Sequence, residues 1–167
     1  SSIVWVNGFY LGTEHSGYVG FSYDMTDYLN YGGDNVVAVR VDATMEEGWF
    51  YEGAGIYRHV WLTKVSPLHV VNDGTFVTTD LQRNRAVIRT RTTVKNEARE
   101  DERFNLEESI VDSAGKTIAS GTRKGLSVKA CNQEEFISQF EIGNPNVWSI
   151  ETPYLHTLKT VIRSGGR

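Results

Sequence analysis

The side chains best suited to recognition crowd into one run, Trp49-Phe50-Tyr51-Glu52-Gly53-Ala54-Gly55-Ile56-Tyr57-Arg58-His59-Val60-Trp61-Leu62. Aromatics, glycines and an arginine follow there in a non-repetitive order that packing alone would rarely select. Trp49 and Tyr51 offer flat faces that suit either core and interface packing or stacking on a ligand ring. Glu46, Glu47 and Glu52 stand beside them as candidate hydrogen-bond acceptors or as solvated loop acids. Arg58 carries a planar fork with two uses, pairing with a carboxylate across a domain boundary or touching a substrate. Paired carboxylates for acid–base work occur as Glu107-Glu108 and Glu134-Glu135. Neighbours on a strand point to opposite faces, so neither pair can flank one bond, and all four are expected at the surface. Cys131 is alone and excludes an internal disulfide, while His15, His59, His69 and His156 lack the spacing of a metal motif, so no metal site is expected.

The elements that must position these groups come from a chain with 40% hydrophobic and 11% aromatic residues, enough for an ordinary globular core in one or two small domains. A net charge of -4 and a pI near 5.6 give no electrostatic reason to expect nucleic acid or an anionic membrane as partner. A neutral partner such as a sugar is compatible with them. No apolar run reaches the ~18 to 20 residues of a membrane helix, and no basic-plus-apolar leader opens the chain.

Period-two alternation recurs and no dozen residues keep a 3.6 period, so an all-β fold is expected. Ile3 to Val6 and Phe9 to Leu11 read as strands around an Asn7-Gly8 hairpin turn. The run from Asp24 to Leu29 reads as one capped helical turn, Gly32 to Asn35 as a turn, and the segments 36–41 and 57–64 as strands. Within 57–64, Val60 and Leu62 are expected to point inward. Pro67 removes a ladder donor and suggests a boundary, drawn between residues 64 and 65. Beyond it, strand candidates recur at sandwich spacing: 68–71, 75–79, 85–95, 104–111, 117–120, 126–130, 136–142 and 154–162. Some of these merge, leaving about seven strands and an immunoglobulin-like β-sandwich over 65–167. Arg89 and Arg91 share a face that must meet water, and Asp112 to Lys116 form a hairpin connection with glycine at the left-handed position. Trp5, Trp61 and Trp148 read as core or domain-seam residues.

Several ordered matches make the chain resemble glycoside hydrolase family 2, the β-galactosidase family. Trp5-Val6-Asn7-Gly8 and Asp24-Met25-Thr26 stand where that family has a strand-and-turn and an Asp-hydrophobic-Thr element. Residues Gly33 to Val41, the motif Gly53-Ala54-Gly55-Ile56-Tyr57-Arg58 and the segment Trp148 to Leu155 complete the series. The resemblance implies a partial jelly-roll (galactose-binding-like) sandwich over 1–64, then the immunoglobulin-like sandwich, with a (β/α)8 barrel to follow. It also implies that the Trp49–Tyr51 loop reaches toward the mouth of that barrel. Many relatives carry there an aspartate, which helps hold sugar or a cation, but here it is Trp49.

Retaining hydrolysis needs an acid/base carboxyl and a nucleophilic carboxylate ~5 to 5.5 Å apart, which the family supplies from the barrel. The chain is therefore expected to hold no catalytic residue and no cofactor, and to be inactive alone. Its parent is expected to be a β-galactosidase, with β-glucuronidase and β-mannosidase as alternatives and a divalent or monovalent cation as the parent's cofactor. Substrate contacts are expected at Trp49, Tyr51 and Glu47, and domain-interface duty at Arg58 and Trp148. The expected partners are the downstream barrel, a β-linked carbohydrate, and another copy of the chain through the open jelly-roll edge. A periplasmic or secreted location is favoured. Two other classes remain open, a free-standing carbohydrate-binding module and a purely structural sandwich.

Overall fold

The computed structural model describes residues 1–44 and 53–165. The chain divides into two compact units, Ser1–Leu62 and Thr63–Arg167. Every element among the described residues is a strand except one 3-10 turn at Thr26–Tyr28.

In the first unit β1 (Ser2–Val6), β2 (Phe9–Glu14) and β3 (Val37–Val41) form an antiparallel sheet in the order β2-β1-β3. Asn7 and Gly8 both take positive φ, 49° and 85°, which gives the hairpin the twist its strands need. Asn7 also ties the turn to the next loop: its Nδ2 donates to Tyr28 O and Asn35 Oδ1, both at 2.8 Å, and its Oδ1 accepts from Val36 N at 2.9 Å. Asn35 in turn accepts from Asn30 N and donates to Asn30 O and Gly33 O, closing the 30–35 turn. Gly12 is required for space, since a Cβ there would run into the Tyr23 ring. Asp24 Oδ1 accepts from Thr26 N at 2.9 Å and from Thr26 Oγ1 at 2.6 Å, holding the start of the 3-10 turn.

The strand expected over 57–64 is not formed. No neighbouring strand pairs with it among the described residues, and alternation without a ladder partner leaves Val60, Trp61 and Leu62 facing solvent, not the interior. Trp61, expected in a core or seam, is 80% exposed.

The second unit is a sandwich of two three-stranded antiparallel sheets. One holds β4 (Leu68–Gln82), β5 (Arg85–Asn96) and β8 (Asn132–Gly143) in the order β4-β5-β8. The other holds β6 (Glu102–Val111), β7 (Thr117–Val128) and β9 (Thr157–Ser164) in the order β7-β6-β9. Six strands replace the expected seven because two pairs of candidates merge. The register of β4 on β5 shifts between Val70 and Thr75, around Asp73 at φ 54° and Gly74, where a Cβ would strike Val71. Likewise β7 runs through a shift opposite Phe104 and Leu106, beside Gly125 at φ 67°. The last strand starts at Thr157, later than the expected residue 154, because Tyr154 N donates back to Thr152 O across Pro153 in a tight three-residue turn.

Inward positions alternate as they must, but the interior is not uniformly apolar. At one end Leu68, Val94, Phe104, Leu106, Val128 and Phe136 pack together, with the rings of Phe104 and Phe136 edge to face at 5.4 Å. At the other end Ala86, Ile88, Ile110 and Phe140 form a second cluster. Between them lies a polar layer of Thr90 and Thr92 on β5 and Glu108 on β6, with Ser138 beside Thr90 and Thr160 beside Glu108 in register. Glu108 is only 2% exposed, which corrects its reading as a surface acid. Its Oε1 accepts a hydrogen bond from Thr92 Oγ1 at 3.0 Å, linking the two sheets through the core. Thr90 Oγ1 is buried with no partner among the described residues. The signal was present in Phe104-x-Leu106-x-Glu108-x-Ile110, whose parity sends the glutamate inward with its apolar neighbours.

Candidate interface and ligand-contact site

The expected substrate contacts Trp49, Tyr51 and Glu47 lie outside the described residues. The rest of that run is described and open to solvent. Arg58 rests its guanidinium over the Tyr57 ring, 5.9 Å from the centroid, and makes no ion pair with a carboxylate among the described residues. His59 and Trp61 lie ring to ring at 5.2 Å. A small-residue bend at Gly53-Ala54-Gly55, with Gly55 at φ 140°, precedes them, a conformation that excludes ordinary side chains.

In the second unit the segment after β8 carries another set of uncovered apolar groups. Trp148 is 55% exposed and belongs to neither apolar cluster of the sandwich, so it is not a core residue of this unit. Ile150 and Leu155 are also exposed. A rigid turn presents them: Ser149 N donates to Thr152 O at 3.0 Å, and Ser149 Oγ accepts from Thr152 N at 3.0 Å. Pro153 then fixes φ at the centre of the following turn.

That turn also brings together residues that sequence spacing did not single out. A cleft of about 360 Å³ opens at the end of the sandwich that carries the Asp112–Lys116 hairpin, lined among others by Lys116, Glu141, Asn144, Asn146, Tyr154 and His156. The hairpin is locked by Asp112, whose Oδ1 accepts from Ala114 N and Lys116 N, with Gly115 at φ 81°. Asn144 takes positive φ, 46°, and its N–H donates to Asn84 O at 2.7 Å, which fixes the cleft's second wall. Tyr154 and His156 form its aromatic wall, ring centroids 5.0 Å apart and tilted by 58°. No motif could have announced this cleft, because the hairpin segment lies more than 20 residues before the other two in sequence and meets them only through the sheet topology.

Electrostatics on the rest of the unit are those of a solvated surface. Arg91 lies over the Phe76 ring at 5.0 Å and pairs with Glu135 at 3.7 Å, while Arg89 donates to Gln139 at 3.2 Å, as expected for a wet strand face. Asp101 bonds Lys129 Nζ at 2.7 Å and accepts from Ala130 N at 3.0 Å. These bonds, Lys129's first, hold its carboxyl below the ordinary aspartate value, and the same bond from Asp101 raises Lys129.

These all-β units, with exposed aromatic side chains at Tyr57, Trp61 and Trp148, have counterparts among known proteins. The family model for glycosyl hydrolases family 2 matches residues 68–167, and the chain belongs to that family. It is 41% identical over 164 residues to a β-galactosidase of Bacteroides ovatus, covering 97% of this chain and 19% of the relative. A putative β-glucuronidase of Formosa agariphila is 34% identical, over 99% of this chain and 15% of its own length. Among solved structures, a family 2 β-glucuronidase superimposes with a TM-score of 0.94 at 25% identity, over 99% of this chain and 20% of that one. A family 2 member from Bacteroides cellulosilyticus gives 0.93 at 30% identity, over 99% and 23%. The chain thus spans about a fifth of the length of these relatives.

Proposed function

We propose that this chain is the non-catalytic front part of a retaining β-galactosidase, and that it buttresses a (β/α)8 barrel and shapes one wall of its pocket. The observation that carries this reading is the uncovered apolar surface at Tyr57–Leu62 in one unit and at Trp148 and Ile150 in the other, the latter two flanking a hydrogen-bonded turn, in a chain that covers a fifth of family 2 enzymes. Large apolar side chains grouped in water mark an interface with another folded body. Arg58, without a carboxylate among the described residues, and Trp148 are its proposed anchors. The galactoside is favoured over the glucuronide by the higher identity to a β-galactosidase, 41% against 34%. β-Glucuronidase remains a second reading, carried by the solved β-glucuronidase of matching fold.

Trp49, Tyr51 and Glu47 are proposed to meet the terminal sugar, and a cation to bind in the parent enzyme outside this chain. A second copy is proposed to associate along β2 or β3, whose outer edges are unpaired among the described residues and whose Phe9, Tyr10, Val37 and Val39 are exposed. A clean monomer in analytical ultracentrifugation at high concentration would count against that association. A periplasmic or secreted location is proposed, to be checked by fractionation. The main test is hydrolysis of nitrophenyl β-glycosides by the full-length parent and by this chain side by side, with and without chelator. Galactoside turnover by the parent alone is expected; an inactive parent or an active chain overturns the reading.

A further inference from the structure

The cleft at the hairpin end of the sandwich combines features that no structural duty in the fold uses up. Among the described residues, the Tyr154 hydroxyl, the His156 ring nitrogens, the side-chain amides of Asn144 and Asn146 and the Lys116 ammonium make no hydrogen bond or ion pair, although all five residues line one cavity. Asp112 is consumed by its own hairpin, and Glu141 keeps only a long 3.5 Å pairing with Arg85, which leaves it accepting capacity. The floor is apolar where Ile118 and Ile142 reach up from the second core cluster. Beside the cleft lies a second depression of about 370 Å³, lined by Ser113, Thr152, Pro153, Tyr154 and Leu155 and mostly apolar. Tyr154 lines both.

We propose that this paired cleft is a binding site for a neutral pyranoside, with Tyr154 as the stacking platform and Asn146, Lys116 and Glu141 as hydroxyl partners. A sugar is amphipathic in the same way: one face of the ring presents C–H groups and its rim presents hydroxyls that both donate and accept. Tyr154 and His156 match the first, and the amide, ammonium and carboxylate match the second. The size suits one or two rings, since small-molecule sites run from ~300 Å³ upward. Two carboxylates against one ammonium among the lining residues disfavour an anionic ligand. The site goes beyond support of a barrel, because every residue that lines it belongs to the sandwich. It would hold a saccharide near the enzyme whether or not that saccharide is the one cleaved.

The test is a titration of the 15N-labelled 167-residue chain with methyl β-D-galactopyranoside, and separately with lactose and with glycerol, read by amide chemical shifts. Saturable shifts confined to residues 112–118, 141–146 and 152–156 are expected with the two sugars and not with glycerol. Tyr154→Ala should weaken binding about tenfold, the scale of one lost aromatic contact. Asn146→Ala, at an exposed loop position that cannot unfold the sandwich, should weaken it severalfold. Absence of saturable shifts, equal shifts with glycerol, or binding indifferent to both substitutions would overturn the site. The galactosidase reading is judged separately, by turnover of a nitrophenyl galactoside by the unsubstituted full-length parent: turnover there without saturable shifts in the chain overturns the site and leaves that reading standing.

Discussion

The two units use the same strand chemistry to opposite ends. In β5 the alternation Ala86, Ile88, Thr90, Thr92, Val94 meets a second sheet and is buried throughout. In β3 the alternation Val37, Val39, Val41 meets no second sheet among the described residues, and the first two are exposed. Of the first unit's described apolar residues only Val4 and Val6, on the central strand, are buried. A β-branched, alternating segment therefore specifies a strand and its two faces, while stability comes only from what covers a face. The sandwich is organised to hold itself together. The first unit is organised by polar turns, Asn7 with Asn35 and Asp24 with Thr26, and leaves most of its apolar groups exposed.

The difference can be broken most visibly by paired truncations. Leu106→Ala, at the centre of the larger cluster, should cost about 3 kcal/mol in urea or thermal unfolding of the sandwich, whereas Val39→Ala should cost only about 0.5 kcal/mol. Equal losses would mean that the first unit's open face is covered in solution. Next in size, Gly12→Ala should cost about 1 kcal/mol, because its methyl displaces the outer edge of the half-buried Tyr23 ring, with hydrogen exchange of β1 and β2 rising while the sandwich stays protected. Within the polar layer of the sandwich, Thr90→Val should raise stability by about 1 kcal/mol, since it removes a buried hydroxyl without a partner. A loss in that variant would show that the hydroxyl is bonded in solution.

The smallest effect concerns the exposed Asp101–Lys129 pair. Asp101 is held below its ordinary pKa, so its contribution is full above the unfolded value and disappears as pH falls through the lower folded one. Lys129 is raised, so its share is full below its ordinary value and disappears as pH rises through the folded one. The urea midpoint of Asp101→Asn should therefore lie slightly below that of the parent chain at pH 7 and converge with it in strong acid, with the gap shrinking in high salt. A gap that persists in strong acid would assign Asp101 a role other than its charge.

Much of the fold could be read directly from the residues because it is local. Asn7-Gly8 and Asp112 to Lys116 announced hairpins through backbone conformations that few residues tolerate, and both are present. Arg89 and Arg91 announced a wet face through charge alone. Three inferences that needed a distant partner failed. Residues 57–64 had the composition of a strand but no ladder, Glu108 was judged by its type when its parity placed it in the core, and Trp61 was assigned to packing that its unit does not supply. Of the site residues, Arg58 and Trp148 lie exposed.

By itself, then, the order of residues determined the period-two strands, the turns that demand positive φ, and the family, since each depends on neighbours in the chain or on a run of matched motifs. Only the tertiary structure decided which faces are covered, that Thr92 and Glu108 bridge two sheets, and that Tyr154, His156, Asn146 and Lys116 share a cleft. The physical reason is that burial and convergence are properties of two surfaces meeting. Strands β5, β6, β8 and β9 acquire them only when sheet order brings segments dozens of residues apart within hydrogen-bonding reach.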